Sequence, residues 1–223
     1  MTERFSTHLH RLAEPIWRAQ HEHPFVRGIS AGTLDAARFG YWLRQDYLFL
    51  QDYVRLFAIA AARAPDTEAL SRFVALAHST LHAELDLHRS YAAQFGISRE
   101  ELEEELASPT TLGYANFLLR TALLGSYPET VAALLPCMWG FCEIGQSLAV
   151  QPRPADARYN EWIEMYSSAE FAQLSDWCRE RVDGVVEGLP ASGLTRMELA
   201  FITSSRYEYL FWDAAWHMEQ WPI

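Results

Sequence analysis

Apolar residues step along this chain at intervals of three and four for most of its length, the spacing of one face of an α-helix. The clearest run lies between Leu34 and about Arg63. Its stripe reads Phe39, Trp42 and Leu43, Asp46, Phe49 and Leu50, Tyr53, Phe57. A carboxylate, Asp46, therefore falls on the face that has to be buried, whereas Asp52 points to the solvent side. The last run repeats the anomaly. Phe201, Ser204 and Ser205, Glu208, Phe211 and Trp212, then Ala215 place Glu208 on an apolar stripe. No segment alternates apolar and polar residues between turn signals, and there is no repeat or low-complexity stretch. The pattern predicts an all-α bundle of about eight or nine helices.

Caps and breakers set the boundaries. A helix is expected from Thr2 to about His21, with Pro15 as a bend. His23-Pro24-Phe25-Val26-Arg27-Gly28-Ile29 reads as a loop that begins extended, because the residue before proline avoids the helical region. Asp66 is placed to cap the next helix, with Glu68 near its positive end. That helix should run to Phe95 and stop at Gly96. Ser98-Arg99-Glu100-Glu101 has capping-box spacing and opens a short acidic helix to Leu106. Pro109 starts another, which Gly125 stops. Residues 128–150 form a further helix, followed by a break at Gln151-Pro152-Arg153-Pro154. Helices are then expected over 159–166 and 168–187, the second ended by Gly188-Leu189-Pro190. A second capping box, Thr195-Arg196-Met197-Glu198, is expected to lead the final helix.

The stretch Leu134-Leu135-Pro136-Cys137-Met138-Trp139-Gly140-Phe141-Cys142-Glu143-Ile144-Gly145 mixes a helical pattern with residues that disturb helices. Proline lacks an N–H and its ring crowds the preceding turn, costing roughly 3 kcal/mol inside a helix. A kink is expected at Pro136, with the Ala132 carbonyl deprived of its normal partner. Cys137 would lie at that distortion. Gly140 and Gly145 are poor helix formers but let another helix or a flat ligand approach the backbone. A plain core helix with a tolerated kink and two buried cysteines accounts for the same residues, since cysteine often behaves as a small core hydrophobe.

Composition narrows the function classes. Lysine plus arginine total 18 against 29 acidic residues, a net charge of −11, which argues against a nucleic-acid partner. Half of the 223 residues are hydrophobic, ample for one large core, so a single domain over 1–223 is expected. No apolar run approaches the roughly 18–20 residues of a membrane span, so no membrane partner is expected. The first residues lack the apolar core of a signal peptide. Three cysteines, Cys137, Cys142 and Cys178, with no CxxC pair, point to reduced thiols in the cytoplasm and away from a structural zinc site.

Two carboxylates on apolar faces are unusual, because an unpaired buried carboxylate is costly. Such groups either find hydrogen-bond partners or titrate abnormally, and both outcomes are common in active sites. Asp46, Glu208 and Cys137 could together supply an anchoring acceptor, an acid/base and a nucleophile, provided the helices bring them together. The alternative is a pair of structural carboxylates bonded to nearby tyrosine, tryptophan or arginine. His78 and His82 share a helix face, with Glu84 and His88 further on. Yet no Glu-x-x-His or His-Glu-x-x-His occurs, so no metal is expected. No glycine-rich phosphate loop or G-x-S-x-G elbow occurs either. Aromatics gather in sequence around the three polar residues, among them Tyr47, Phe49, Tyr114, Trp139, Phe141, Tyr166, Tyr207, Tyr209 and Trp212. Such a lining would favour a flat heteroaromatic ligand.

The segments His23-Pro24-Phe25-Val26-Arg27-Gly28-Ile29, Gln45-Asp46, Leu134-Leu135-Pro136-Cys137-Met138-Trp139 and Tyr207-Glu208-Tyr209-Leu210-Phe211-Trp212 resemble, in that order, the TenA family, also called thiaminase II or aminopyrimidine aminohydrolase. The resemblance implies a heme-oxygenase-like multi-helix bundle without heme, no cofactor, and a homotetramer. It implies hydrolysis of 4-amino-5-aminomethyl-2-methylpyrimidine to the hydroxymethyl compound and ammonia, a thiamin salvage step. Cleavage of thiamin to hydroxymethylpyrimidine and the thiazole alcohol is the companion activity. Residue by residue, Cys137 matches the nucleophile and Glu208 the acid/base. Asp46 matches the carboxylate that holds the aminopyrimidine's polar edge, and Tyr114 and Tyr166 match pocket tyrosines. Phe49 and Phe141 stand where family members often carry tyrosine; each lacks a hydroxyl but keeps a ring to stack. Two other readings remain at this point. One is a metal-dependent oxidase on the same scaffold, for which the last helix offers Asp213 and His217. The other is a non-catalytic pyrimidine-binding or regulatory protein.

Overall fold

The computed structural model describes residues 3–223. Among them every regular element is helical. The order is α1 (Phe5–His21), α2 (Pro24–Ala31), α3 (Ala36–Ala62), α4 (Thr67–Ser79), a π-helical segment (Thr80–Glu84), α5 (Leu85–Gln94) and α6 (Arg99–Glu103). Then follow α7 (Pro109–Leu124), α8 (Tyr127–Ala149), α9 (Ala157–Ser167), α10 (Ala169–Gly184) and α11 (Ala191–His217). Thr2, the expected start of the first helix, lies outside the described residues. Eleven α-helices among the described residues exceed the eight or nine expected, because the expected loop at residues 23–29 is helical and the expected helix after Asp66 is split.

The first difference is α2. His23 is extended, as its place before proline requires, but it is the N-cap of a helix and not the start of a loop. Its Nδ1 accepts from the Phe25 N–H at 3.2 Å. Pro24 occupies the first helical position, where its missing N–H costs nothing. Gly32, at φ 66°, ends the helix in the left-handed region. The second difference is the run after Asp66. It caps as expected, but the helix is interrupted by the π-segment before α5. The third is α11, which begins at Ala191, one residue after Pro190, and not at the second capping box. Thr195 lies inside it, with its hydroxyl donating back to the Ala191 carbonyl at 3.1 Å. The Ser98 capping box forms with both of its bonds, although α6 stops at Glu103 and not Leu106.

The chain divides into two compact units, Met1–Leu34 with Pro128–Asp213, and Asp35–Tyr127 with Ala214–Ile223. The core of the first is rich in tryptophan. Trp17 of α1 stacks on Phe201, meets Trp139 edge-on, and donates its indole N–H to Ser205 Oγ at 3.0 Å. Ser205 therefore belongs on the apolar stripe of α11 because its hydroxyl is used there. Tyr159 ties α9 to the end of the α2 turn by donating to the Leu34 carbonyl at 2.7 Å. α8 runs through Pro136 as one continuous helix. By length and composition α8 is apolar enough to cross a membrane, contrary to the sequence expectation, and two-thirds of that apolar stretch is buried inside the protein.

The second unit is built on α3, whose expected stripe is buried from Phe39 to Phe57. Tyr47, Leu50, Leu85, Ala92, Ile97 and Leu102 form one cluster. The Arg63 guanidinium donates to the Ala122 and Gly125 carbonyls, meeting the negative end of α7. The C-terminal tail is fastened at several points. Glu219 accepts from the Thr110 N–H and hydroxyl, Tyr41 donates to the Glu219 carbonyl, and Trp221 donates to the Ala107 carbonyl.

Candidate active site

The candidate residues fall into two groups. Cys137, Phe141, Tyr166 and Glu208 lie in the first unit, and Asp46, Phe49 and Tyr114 in the second.

In the first unit Cys137 and Phe141 are one turn apart on α8 and share a face. The Phe141 ring lies 4.8 Å from Tyr166 and 5.0 Å from Trp212, centroid to centroid, and Trp162 lies 4.7 Å from Tyr166. Glu208 is 2% exposed and stands one turn before Trp212 on α11. The thiol and the carboxyl thus each lie one helical turn ahead of a member of the Phe141–Trp212 pair. Gly145 explains how Tyr166 reaches α8. A Cβ there would lie 2.6 Å from the Tyr166 carbonyl carbon and 2.7 Å from its Cβ, so only glycine admits the last turn of α9. Gly140 has no such neighbour; the nearest atom to its virtual Cβ is Gln20 Oε1 at 4.0 Å. Of the two glycines, Gly145 is the one that admits a neighbouring helix.

Burial separates the three thiols. Cys142 and Cys178 are buried, while Cys137 is half-buried. Burial pushes the Cys142 thiol up, and a hydrogen bond with Ser175 only partly offsets it. A neutral thiol of that kind is a poor nucleophile. Further along α8, Glu143 bridges two histidines of α1, 3.1 Å from His10 Nε2 and 3.2 Å from His21 Nε2. Burial alone would raise its carboxyl. The hydrogen bonds and charges of the two imidazoles outweigh that and bring it from 4.5 down to about 2.

In the second unit Asp46 is buried on α3, as its place in the stripe required. Phe49, one turn on, stacks between Tyr53 at 5.4 Å and Tyr114 at 4.9 Å, with interplanar angles of 27° and 28°. Stacking thus survives the loss of the tyrosine hydroxyl. Sequence reasoning missed the partner of Asp46. His88 of α5 is also buried, and its Nε2 lies 2.6 Å from Asp46 Oδ2. His78 and His82 are exposed, their rings 4.6 Å apart. Among the described residues no group of three or more His, Cys, Asp or Glu is arranged to hold a metal ion. Asp213, half of the oxidase pair considered above, instead faces His23 Nε2 at 3.7 Å. A cleft of the second unit, about 690 Å3, is lined by Tyr41, Arg44, Gln45 and Trp221, and Asp46 is not part of its lining.

An all-helical chain with these elements has the heme-oxygenase-like fold. A Shewanella denitrificans domain described by that fold superposes with a TM-score of 0.74 over 95% of this chain and 92% of its own, at 15% identity. The TENA/THI-4/PQQC family model matches residues 10–218, and the chain belongs to that family. It is 43% identical to the aminopyrimidine aminohydrolase of Halalkalibacterium halodurans, over 97% of each chain. It is 35% identical to the Bacillus subtilis protein of the same name, over 98% of this chain and 92% of that one. Among solved structures, a TenA homologue from P. horikoshii OT3 superposes with a TM-score of 0.90 at 28% identity, covering 96% of this chain and 99% of that one.

Proposed function

We propose that this protein is an aminopyrimidine aminohydrolase. It hydrolyses 4-amino-5-aminomethyl-2-methylpyrimidine to the hydroxymethylpyrimidine and ammonia, and it cleaves thiamin to hydroxymethylpyrimidine and the thiazole alcohol. The observation that carries this reading is near-full-length identity to enzymes of that name, 43% in one case. The site geometry supports it. The least buried of the three cysteines is Cys137, and it stands one turn from a wall of aromatic rings.

The chemistry assigns a role to each residue. The Cys137 thiolate adds to a carbon of the pyrimidine ring, and a ring nitrogen takes up a proton as aromaticity is lost. The amine then leaves the methylene carbon as ammonia, restoring conjugation through an exocyclic double bond. Water adds to that methylene and the thiolate is expelled. The balance is amine plus water to alcohol plus ammonia. Glu208 is the proton carrier, donating to the ring or the leaving amine and taking a proton from the attacking water. Asp46 accepts from the amino group on the ring's polar edge. Phe49, Tyr114, Phe141 and Tyr166 supply faces for stacking, a preference suited to a planar ring.

The same reading makes the protein a cytoplasmic homotetramer that needs no cofactor and has neither nucleic-acid nor membrane partners. Exposed Leu81, Leu87, Leu123 and Leu124 on the second unit support burial of an apolar surface between copies. A monomer's mass by light scattering would remove the tetramer. The function is tested by ammonia release from the purified protein. Steady turnover of the aminomethylpyrimidine, exceeding that of thiamin, is expected. Tight binding of the hydroxymethylpyrimidine with no ammonia from any aminopyrimidine would make the protein a binding module instead.

A further inference from the structure

Asp46 and His88 are buried together, at 5% and 3% exposure. Among the described residues His88 is the one hydrogen-bond partner of Asp46. The second ring nitrogen, Nδ1, lies 3.3 Å from the Glu84 main-chain carbonyl. A carbonyl oxygen only accepts, so Nδ1 has to carry a proton to make that bond. An ionised Asp46 also only accepts, so Nε2 has to carry one too. Both faces of the imidazole therefore ask for N–H, and the arrangement is that of an imidazolium between two acceptors. Charge around the ring agrees. Burial would lower the His88 imidazole, but the hydrogen bond and charge of Asp46, with the nearby Glu84 charge, raise it. Burial in turn raises the Glu84 carboxyl, against the pull of His88 and a hydrogen bond with Thr80. The Trp42 ring lies 6.2 Å from the imidazole, centroid to centroid.

The π-segment is what places this ring. Ala69, Phe73 and Thr80 mark the buried face of the run that begins at α4. Five turns of 3.6 residues from Ala69 end at Leu87. Leu87 is instead 52% exposed, and the buried positions there are Leu85, His88, Tyr91 and Ala92. The wide turn over Thr80–Glu84 takes up the extra residue, and its last carbonyl is the acceptor for His88 Nδ1. Such π-turns cost hydrogen-bond geometry and recur at functional sites.

We propose that His88 is the positioning residue for the substrate anchor: held by the π-turn carbonyl, it donates to Asp46 Oδ2, fixes that carboxylate's rotamer, and leaves Oδ1 for the ligand's amino group. This rests on the role given to Asp46 above. It also sets the ligand class. An acceptor-only oxygen accepts from a 4-amino group and opposes a 4-oxo group, so the 4-oxo analogue of the hydroxymethylpyrimidine is rejected.

The test uses the intact protein and five measurements. Asp46→Asn checks the parent reading: it should lose binding of the hydroxymethylpyrimidine by calorimetry, and unchanged binding would sink the anchor, not the His88 inference alone. His88→Leu should raise KM for the aminomethylpyrimidine at least tenfold with a smaller fall in kcat. His88→Gln, which retains an N–H at the Nε2 position, should recover part of the loss near neutral pH. If His88→Leu does not fold, the wild-type protein decides by 15N NMR. Two N–H signals from His88 at pH 7 are expected, and a neutral tautomer there overturns the proposal. Wild-type KM in a folded His88→Leu, or equal affinity for the 4-oxo analogue, overturns it as well.

Discussion

Two glycines nine and four residues beyond Pro136 look alike in the sequence and behave differently in the fold. Gly145 is compressed against the Tyr166 backbone, so an added methyl would overlap residues 166 and 167. Gly145→Ala should destabilise the protein by roughly 1–3 kcal/mol through overpacking, and it should weaken substrate binding because Tyr166 has to move. Gly140 lies in open helix interior by comparison. Gly140→Ala should be neutral or stabilise by up to about 1 kcal/mol through helix propensity alone. Thermal denaturation of the two variants checks both signs, and equal melting temperatures would show that the close approach carries no load. At this scale the buried carboxylates were legible, because Asp46 and Glu208 break a hydrophobic period that is otherwise kept. Which glycine mattered was not, because the contact that decides it comes from residue 166.

The elements show why some local signals were read correctly and others not. Asp66, Ser98 and Gly125 acted as cap and stop because each depends on a few neighbouring atoms. The capping-box spacing at Thr195 matched the rule yet was overridden, since the helix had already started behind Pro190. The π-turn was hidden for a different reason. Thr80-Leu81-His82-Ala83-Glu84 contains no glycine or proline, and the turn is visible only as a one-residue slip of the buried face. A pH test belongs to the contact of α1 with α8. Glu143 is held at about 2, below its ordinary 4.5, by His10 and His21. A depressed carboxyl contributes stability that is present above about 4.5 and lost as pH falls towards about 2. The stability gap between wild type and Glu143→Gln, from urea titrations, should therefore be fully present at pH 5 and shrink steadily below 4.5. A gap that persists unchanged at pH 2.5 would mean the bridge contributes no charge-dependent stability.

Across the whole molecule the helical class and the order of the family segments were plain in the sequence, because they rest on period and on residues close in the chain. The assignment of roles is of another kind. It asks one cysteine of three to be the nucleophile, and burial marks Cys137 while Cys142, on the same helix, is held as a neutral thiol. The decisive measurement is the ammonia-release rate of Cys137→Ser beside that of Cys142→Ser, each with the fold verified by circular dichroism. The rate of Cys137→Ser should fall by roughly a thousandfold or more, about 4 kcal/mol of barrier, while Cys142→Ser keeps most of its turnover. Near-wild-type ammonia release from a folded Cys137→Ser protein would contradict the account.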